Sequence, residues 1–181
     1  MGKVADFENG KAHENSISDD GKYIVVNSKF ISSDGKIAKY SDKNLSPLKT
    51  GEIVMVMSDI PNGKALGKCF LILENNKYTL NQRICLLRPK NGDSKFFYYF
   101  LNRNKYFLNF NNGTSQTNLR RDEVLNCPFL VPPKPEQEKI AEILSAVDEK
   151  ISINKKLKEK LTQLKKGLMS DLLSGKVRVN I

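Results

Sequence analysis

Residues 109–121 hold side chains that can read nucleic-acid bases and bind phosphates, with little apolar surface that needs burial. Asn and Gln can form two hydrogen bonds with an adenine edge, Arg can do so with guanine, and hydroxyl or cationic groups can hold phosphates. The candidates for such contacts in this stretch are Ser115, Gln116, Thr117, Asn118, Arg120 and Arg121. The alternative is a polar surface loop without a ligand, which composition alone slightly favours. The two arginines can equally be a solvated pair before a short helix at residues 122–125.

Four residues elsewhere in the chain are weaker candidates for nucleic-acid contact. Gln82, Arg83 and Lys64 carry the same kinds of side chain, and His13 is the fourth candidate. A lone His without an identified partner usually has a structural role.

The sequence has no recognisable catalytic constellation. It contains no Gly-rich strand-to-helix loop for a nucleotide or S-adenosylmethionine, no Gly-x-x-x-x-Gly-Lys loop, and none of the motifs of amino-methyltransferases or of a common nuclease fold. One His and three widely spaced cysteines argue against a zinc site. We predict a noncatalytic chain with no cofactor and no metal, in which Cys69, Cys85 and Cys127 are buried free thiols.

The charge balance indicates an anionic partner. The chain carries 30 Lys and Arg against 20 Asp and Glu, a formal net charge of +10. Nucleic acid fits better than a membrane, because no run approaches the roughly 18 consecutive apolar residues of a spanning helix. Residues 1–10 lack the apolar core of a signal peptide, so a reducing cytoplasmic location is expected.

Residues 1–134 are predicted to form a β-rich globule of mixed α+β class, because short apolar runs alternate with turn-forming clusters. The predicted strands are residues 23–26, 29–31, 53–57, 69–73 and 84–87. Residues 95–107 are predicted to be one helix, and we interpret its aromatic side chains as core rather than as a base-stacking platform.

A single long amphipathic helix is predicted over residues 135–175, followed by a short strand at residues 176–181. Pro135 suits a first helical position and Gly175 suits a helix end. The apolar spacing of three and four is typical of a coiled-coil seam. The predicted seam residues are Ile140, Leu144, Val147, Ile151, Leu157, Leu161, Leu164 and Leu168.

The charges of this helix are segregated along its length. Five carboxylates stand against one lysine in residues 136–149, and seven lysines stand against one glutamate in residues 150–166. An antiparallel pair would set each acidic half against the partner's basic half, whereas a parallel pair would set like against like. We predict antiparallel pairing with a second copy or with a similar helix. The alternative is that these charges are solvated and contribute only ~0–1 kcal/mol per exposed pair.

Two segments of the sequence carry a family resemblance: residues 132–141, Pro-Pro-Lys-Pro-Glu-Gln-Glu-Lys-Ile-Ala, and residues 172–179, Leu-Leu-Ser-Gly-Lys-Val-Arg-Val. They resemble the start and the end of the conserved helix region in the specificity subunits of type I restriction-modification systems. Residues 80–83, 87–89 and 113–116 are similar to weaker markers of the family's target recognition domain.

The resemblance implies a noncatalytic DNA reader. Family members usually hold two target recognition domains separated by two long antiparallel helices, and each domain reads one half of a split DNA target. They dock DNA adenine methyltransferase subunits, which bring S-adenosylmethionine, and restriction subunits supply translocation and cleavage. This chain has one globule and one helix, so the resemblance implies a natural half-subunit or a piece of a longer subunit. Two paired copies would favour a palindromic split target.

Two other functions remain open at this point. One is a basic coiled-coil adaptor that binds protein partners and touches DNA without sequence preference. The other is the specificity domain of a single-chain restriction-methylation enzyme.

Overall fold

The computed structural model describes residues 1–59, 65–111 and 117–180. The strands are β1 Ala5–Asn9, β2 Tyr23–Val26, β3 Tyr40–Ser41, β4 Ile53–Val56, β5 Ser58–Asp59, β6 Cys69–Leu71, β7 Tyr78–Leu80, β8 Ile84–Pro89 and β9 Thr117–Asn118. The helices are α1 Ser28–Ser32, α2 Ser94–Leu101, α3 Lys105–Leu108, α4 Arg121–Leu125 and α5 Lys134–Leu173. The predicted mixed α+β class with one long helix near the end is confirmed.

A four-stranded antiparallel sheet in the order β1-β8-β4-β6 divides the interior of residues 1–141 into two cores. Successive side chains of a strand point to opposite faces of the sheet. Accordingly, Ile53 and Met55 of β4 enter one core, whereas Val54 and Val56 enter the other. Because both faces are covered, β4 is an unbroken apolar run rather than an alternating one.

The first core lies between the sheet and the helices α2, α3 and α4. Phe97, Leu101 and Phe107 are fully buried there, together with Val124 of α4. Phe129 packs against Phe97, with 4.6 Å between ring centroids. Phe96, Phe97, Phe100 and Phe107 therefore contribute to this core, as predicted, whereas Tyr99 is not part of it.

The second core lies between the sheet, α1 and a three-stranded sheet in the order β3-β2-β7. Phe30, Phe70 and Tyr78 meet edge to face at its centre, with ring centroids 5.0 to 6.2 Å apart. The buried cysteines Cys69 and Cys85 lie on the first-core side of the large sheet, and all three cysteines are buried free thiols, as predicted.

Several predicted elements differ in the structure. Residues 29–31 belong to α1 and not to a strand, because the Asn27 side chain accepts a hydrogen bond from the backbone N–H of Phe30 at 2.9 Å and starts a helical turn. The single helix predicted at residues 95–107 is two helices, separated where Arg103 takes a positive φ of 57°. The short helix predicted at residues 122–125 is confirmed as α4, and β1 and β7 were not predicted.

The long helix α5 is confirmed, but the strand predicted after it is not. Gly175 takes a φ of 74°, as expected for a helix end. The described residues 176–180 are not part of any strand. A strand needs a hydrogen-bonded neighbour, and the described part of this single chain places none beside them.

The first turn of α5 is tied to the globule by a buried glutamine. Gln137 is 2% exposed; its Nε2 donates to the carbonyl of Pro132 at 2.8 Å, and its Oε1 accepts from the backbone N–H of Asp93 at 3.0 Å. Gly92 lies against the same side chain with a φ of 120°, and a Cβ at that position would come within 2.6 Å of Gln137 Oε1. The close approach requires a glycine.

The chain divides into two compact units, residues 1–141 and 142–181. In the second unit, the predicted seam residues Leu144, Val147, Ile151, Leu157, Leu161, Leu164 and Leu168 are between 38% and 58% exposed. Ile140 belongs to the first unit, where it packs against the first core. Within the described residues, no helix combines the length and apolar character needed to cross a membrane.

Candidate nucleic-acid interface

A short two-stranded ribbon presents Asn118 at the surface. In it, β9 pairs antiparallel with β5, with Asn118 opposite Ser58. Thr117 and Leu119 point inward and are 5% and 4% exposed, while Asn118 is exposed between them. This alternation follows from the two-residue period of a strand. Of the two adjacent candidates, the structure therefore puts the Asn118 side chain outward and ties Thr117 Oγ1 to Asn111 Oδ1 at 3.1 Å.

The tight connection between β7 and β8 presents Gln82 and Arg83. The backbone N–H of Asn81 donates to Val26 at 3.1 Å, and that of Ile84 closes the turn onto Asn81 at 3.1 Å. Gly10 passes so close that a Cβ there would lie 2.1 Å from the carbonyl oxygen of Asn81. The turn backbone is thus held from both sides, while the two side chains at its tip are exposed.

These two elements meet at one depression of about 330 Å³ on the surface of the globule. Gln82, Arg83 and Asn118, which are far apart in sequence, all line it, together with Asn9 and Ser58. Backbone hydrogen bonds join the two elements: the N–H of Met57 donates to the carbonyl of Arg83 at 3.3 Å, and the N–H of Leu119 donates to the carbonyl of Met57 at 2.8 Å. Amide and guanidinium groups together can distinguish adenine from guanine by their hydrogen-bonding edges. Asn9 and Ser58 were not predicted from sequence, and neither lies in a pattern that marks it.

Arg120 and Arg121 are exposed but do not line this depression. Arg120 is the residue that caps the start of α4: its backbone N–H donates to Glu123 Oε2 at 2.7 Å, and its Nε donates to Oε1 of the same carboxylate at 3.2 Å. The guanidinium of Arg121 lies over the ring of Phe7, 5.5 Å from its centroid. Both arginines have structural contacts and are still accessible to an anion.

Of the remaining predicted contact residues, one is buried and three lie outside the part of the chain that the structure describes. His13 is 1% exposed; its Nδ1 lies 2.7 Å from the carbonyl oxygen of Lys11 and its Nε2 lies 2.8 Å from Thr79 Oγ1. This burial favours a structural role for His13. Ser115, Gln116 and Lys64 lie outside the described residues. Among the described residues, no group of three or more His, Cys, Asp or Glu side chains is placed to share a metal ion.

The sequence matches a family model. The model of the type I restriction modification DNA specificity domain matches residues 1–163. Over 138 residues the chain is 31% identical to the type I restriction enzyme MjaVIII specificity subunit of Methanocaldococcus jannaschii, a match that covers 73% of this chain and 32% of that protein.

Solved structures show the same fold. The S subunit of a type I restriction-modification system from M. genitalium matches 95% of this chain with a TM-score of 0.67 and 23% identity. The HsdS subunit from Thermoanaerobacter tengcongensis matches 94% of this chain with a TM-score of 0.61 and 14% identity. The chain spans 44% and 42% of those two proteins, and about a third of the M. jannaschii subunit. With nine-tenths of its residues covered by the family model, this chain belongs to the family of type I restriction modification DNA specificity domains.

Proposed function

We propose that this chain is the sequence-reading component of a type I restriction-modification complex and that it reads one half of a split DNA target. The observation that carries this proposal is the joint placement of Gln82, Arg83 and Asn118 around one surface depression of a specificity-domain fold. Side chains with paired hydrogen-bonding groups give base discrimination when they share a site, because each reads one edge. Arg120, Arg121 and the candidates outside the described residues would extend this surface.

The chain itself would be noncatalytic and would work in the cytoplasm with partners that carry the chemistry. Its relatives are named specificity subunits of type I restriction enzymes, and one matching structure comes from work on the assembly of a type I system, with a TM-score of 0.69. DNA adenine methyltransferase subunits would dock on the chain, and restriction subunits would join through the complex. The chain spans under half of the matching structures.

We further propose that α5 pairs antiparallel with a second copy or with a second specificity half. Its apolar stripe is half exposed in the single chain, and fully burying a Leu or Ile side chain contributes roughly 1.5–3 kcal/mol. The segregated charges favour the antiparallel orientation, since the acidic first half would face the partner's lysine-rich half.

A map of methyladenine in the source genome, with and without this gene, tests the proposed function. Loss of methylation at one split motif is expected, in cells that still produce the methyltransferase. A palindromic motif would support two identical halves, and a motif with two different arms would point to two different recognition domains. An unchanged map would remove the sequence-reading role and favour the adaptor.

Binding measurements on the motif then test the reading surface. Asn118→Ala should lower affinity for the motif and relax the preference at one base pair, at a cost of about 1–3 kcal/mol. Arg120→Ala with Arg121→Ala should lower affinity and flatten its salt dependence if these side chains hold phosphates. Affinity that is salt-sensitive but indifferent to sequence in the unaltered chain would favour the adaptor.

A further inference from the structure

A second, larger groove lies on the other side of the Gln82–Arg83 turn. Its volume is about 520 Å³. The turn forms one wall, the start of α1 with Lys29 forms another, and the segment that ends at Lys39 forms a third. Gln82 and Arg83 line both this groove and the depression that holds Asn118, so the turn is a wall shared by the two cavities.

The groove is positively charged. Lys29, Lys39 and Arg83 line it against one carboxylate, that of Glu14, which leaves two net positive charges. The carboxylate is engaged, since Gln82 Nε2 donates to Glu14 Oε1 at 2.9 Å. None of the three cations forms an ion pair with another residue in the described part of the chain. Their charges are therefore available to a ligand.

Hydrogen bonds hold the base of the groove. His13 bridges the carbonyl of Lys11 and the hydroxyl of Thr79 at its floor. The backbone beside Lys39 is fixed by β2, because Val25 donates to the carbonyl of Lys39 at 2.8 Å. A groove whose backbone is already in place requires little ordering of the chain when a ligand binds.

We propose that this groove holds the sugar-phosphate backbone of the duplex whose bases are read in the neighbouring depression, with Lys29 and Lys39 as phosphate contacts. This inference rests on the proposed function. The shared wall is the reason for the assignment: bases that contact Gln82 and Arg83 from the depression belong to a strand whose phosphates must lie beside the same turn. Lys binds phosphate as a point charge without reading sequence, so these contacts position the duplex and leave discrimination to the depression.

The test compares two double variants of the full chain that remove the same charge. Lys29→Gln with Lys39→Gln alters the groove, and Lys95→Gln with Lys105→Gln alters two exposed lysines that line neither cavity. Fluorescence anisotropy measures binding to a labelled duplex of random sequence over a salt series. Each lost phosphate contact should lower the slope of log affinity against log salt by about 0.9. The slope for the groove variant should thus be smaller by almost two units. Between roughly 50 and 200 mM salt, its affinity should therefore fall about tenfold less than the affinity of the unaltered chain.

The control variant should keep the slope of the unaltered chain, and the groove variant should keep the preference for the methylated motif over random sequence. Equal slopes for the two double variants would overturn the groove assignment, as would a groove variant whose motif preference is lost. Failure of the proposed function gives a different result: the unaltered chain would bind the motif and random sequence equally, whatever the two slopes are.

Discussion

Replacing Gln137 with Ala should destabilise the globule although the residue lies in the exposed long helix. Gln137 belongs to the first turn of α5, yet it is 2% exposed and bonds with the backbone of Asp93 and Pro132. Alanine removes both hydrogen bonds and leaves a backbone N–H and a carbonyl without their partners. An unsatisfied buried polar group costs about 1–3 kcal/mol. Because both bonds are partly accessible to water, the expected loss is about 2–3 kcal/mol in total.

Equilibrium unfolding in urea, followed by tyrosine fluorescence, measures this loss of unfolding free energy for the globule alone. The chain has no Trp, and its six tyrosines all lie between residues 23 and 106. Tyrosine fluorescence therefore reports unfolding of residues 1–141, whereas far-ultraviolet circular dichroism also reports the helix of residues 142–173. The Gln137→Ala midpoint should shift to lower urea in the fluorescence signal with little change in the slope of the transition.

Gln163→Ala is the matched control, because it makes the same change in the same helix at an exposed position. Differences in helix propensity between Gln and Ala then largely cancel. The reasoning is refuted if the two variants differ by less than about 0.5 kcal/mol, the usual range of surface substitutions. A Gly92→Ala variant should also be destabilised, since its Cβ would lie 2.6 Å from Gln137 Oε1 and 2.9 Å from Phe97.

Three further outcomes are expected. Leu161→Glu with Leu164→Glu should abolish self-association in sedimentation while tyrosine fluorescence still reports a folded globule; a variant that still forms dimers would contradict the seam. His13→Ala should cost about 1–3 kcal/mol of stability in urea, because it removes the buried hydrogen bonds of the ring with the Lys11 carbonyl and the Thr79 hydroxyl, with no change in base preference; an altered motif would contradict its structural role. Burial raises the pKa of Cys85 from 9.0 to about 12, and only the unfolded thiol ionises in that interval. Stability measured by urea titration should therefore fall between about pH 9 and 12 relative to a Cys85→Ala variant and be unaffected by this thiol at lower pH.

The sequence predicts best the elements whose pattern is local. The spacing of apolar residues gives α5 almost to the residue, because a stripe on a helix needs no knowledge of what it packs against. The apolar runs of β4 and β8 are found because both faces of the sheet are buried. The strand predicted at residues 29–31 is wrong. The β-branched and aromatic composition favours a strand, but the backbone N–H of Phe30 donates to the Asn27 side chain, and this one hydrogen bond selects a helix.

The candidate site can be predicted only partly from the sequence, because the sequence does not show which distant residues come into contact. Side-chain type suggests Gln82, Arg83 and Asn118 one by one, but their convergence depends on the pairing of β5 with β9 and on the backbone bonds of Met57. The two-residue period of a strand puts the side chains of Thr117 and Asn118 on opposite faces, but the sequence does not show which of these faces is buried. Lys29 and Lys39 carry no local signal that distinguishes them from the other lysines.

The double-sided burial of the central sheet has a consequence for how specificity can change over evolutionary time. The central strands β4 and β8 contribute no side chain to the proposed reading surface. Asn118 sits on a two-residue strand, Gln82 and Arg83 sit at a turn tip, and Asn9 lies at the end of β1. Substitutions at exposed positions away from buried contacts usually change stability by less than about 0.5 kcal/mol. Residues such as Gln82 and Asn118 can therefore be exchanged with little loss of folding free energy. Under the proposed function, single substitutions at these positions would give new target sequences while the two cores stay the same.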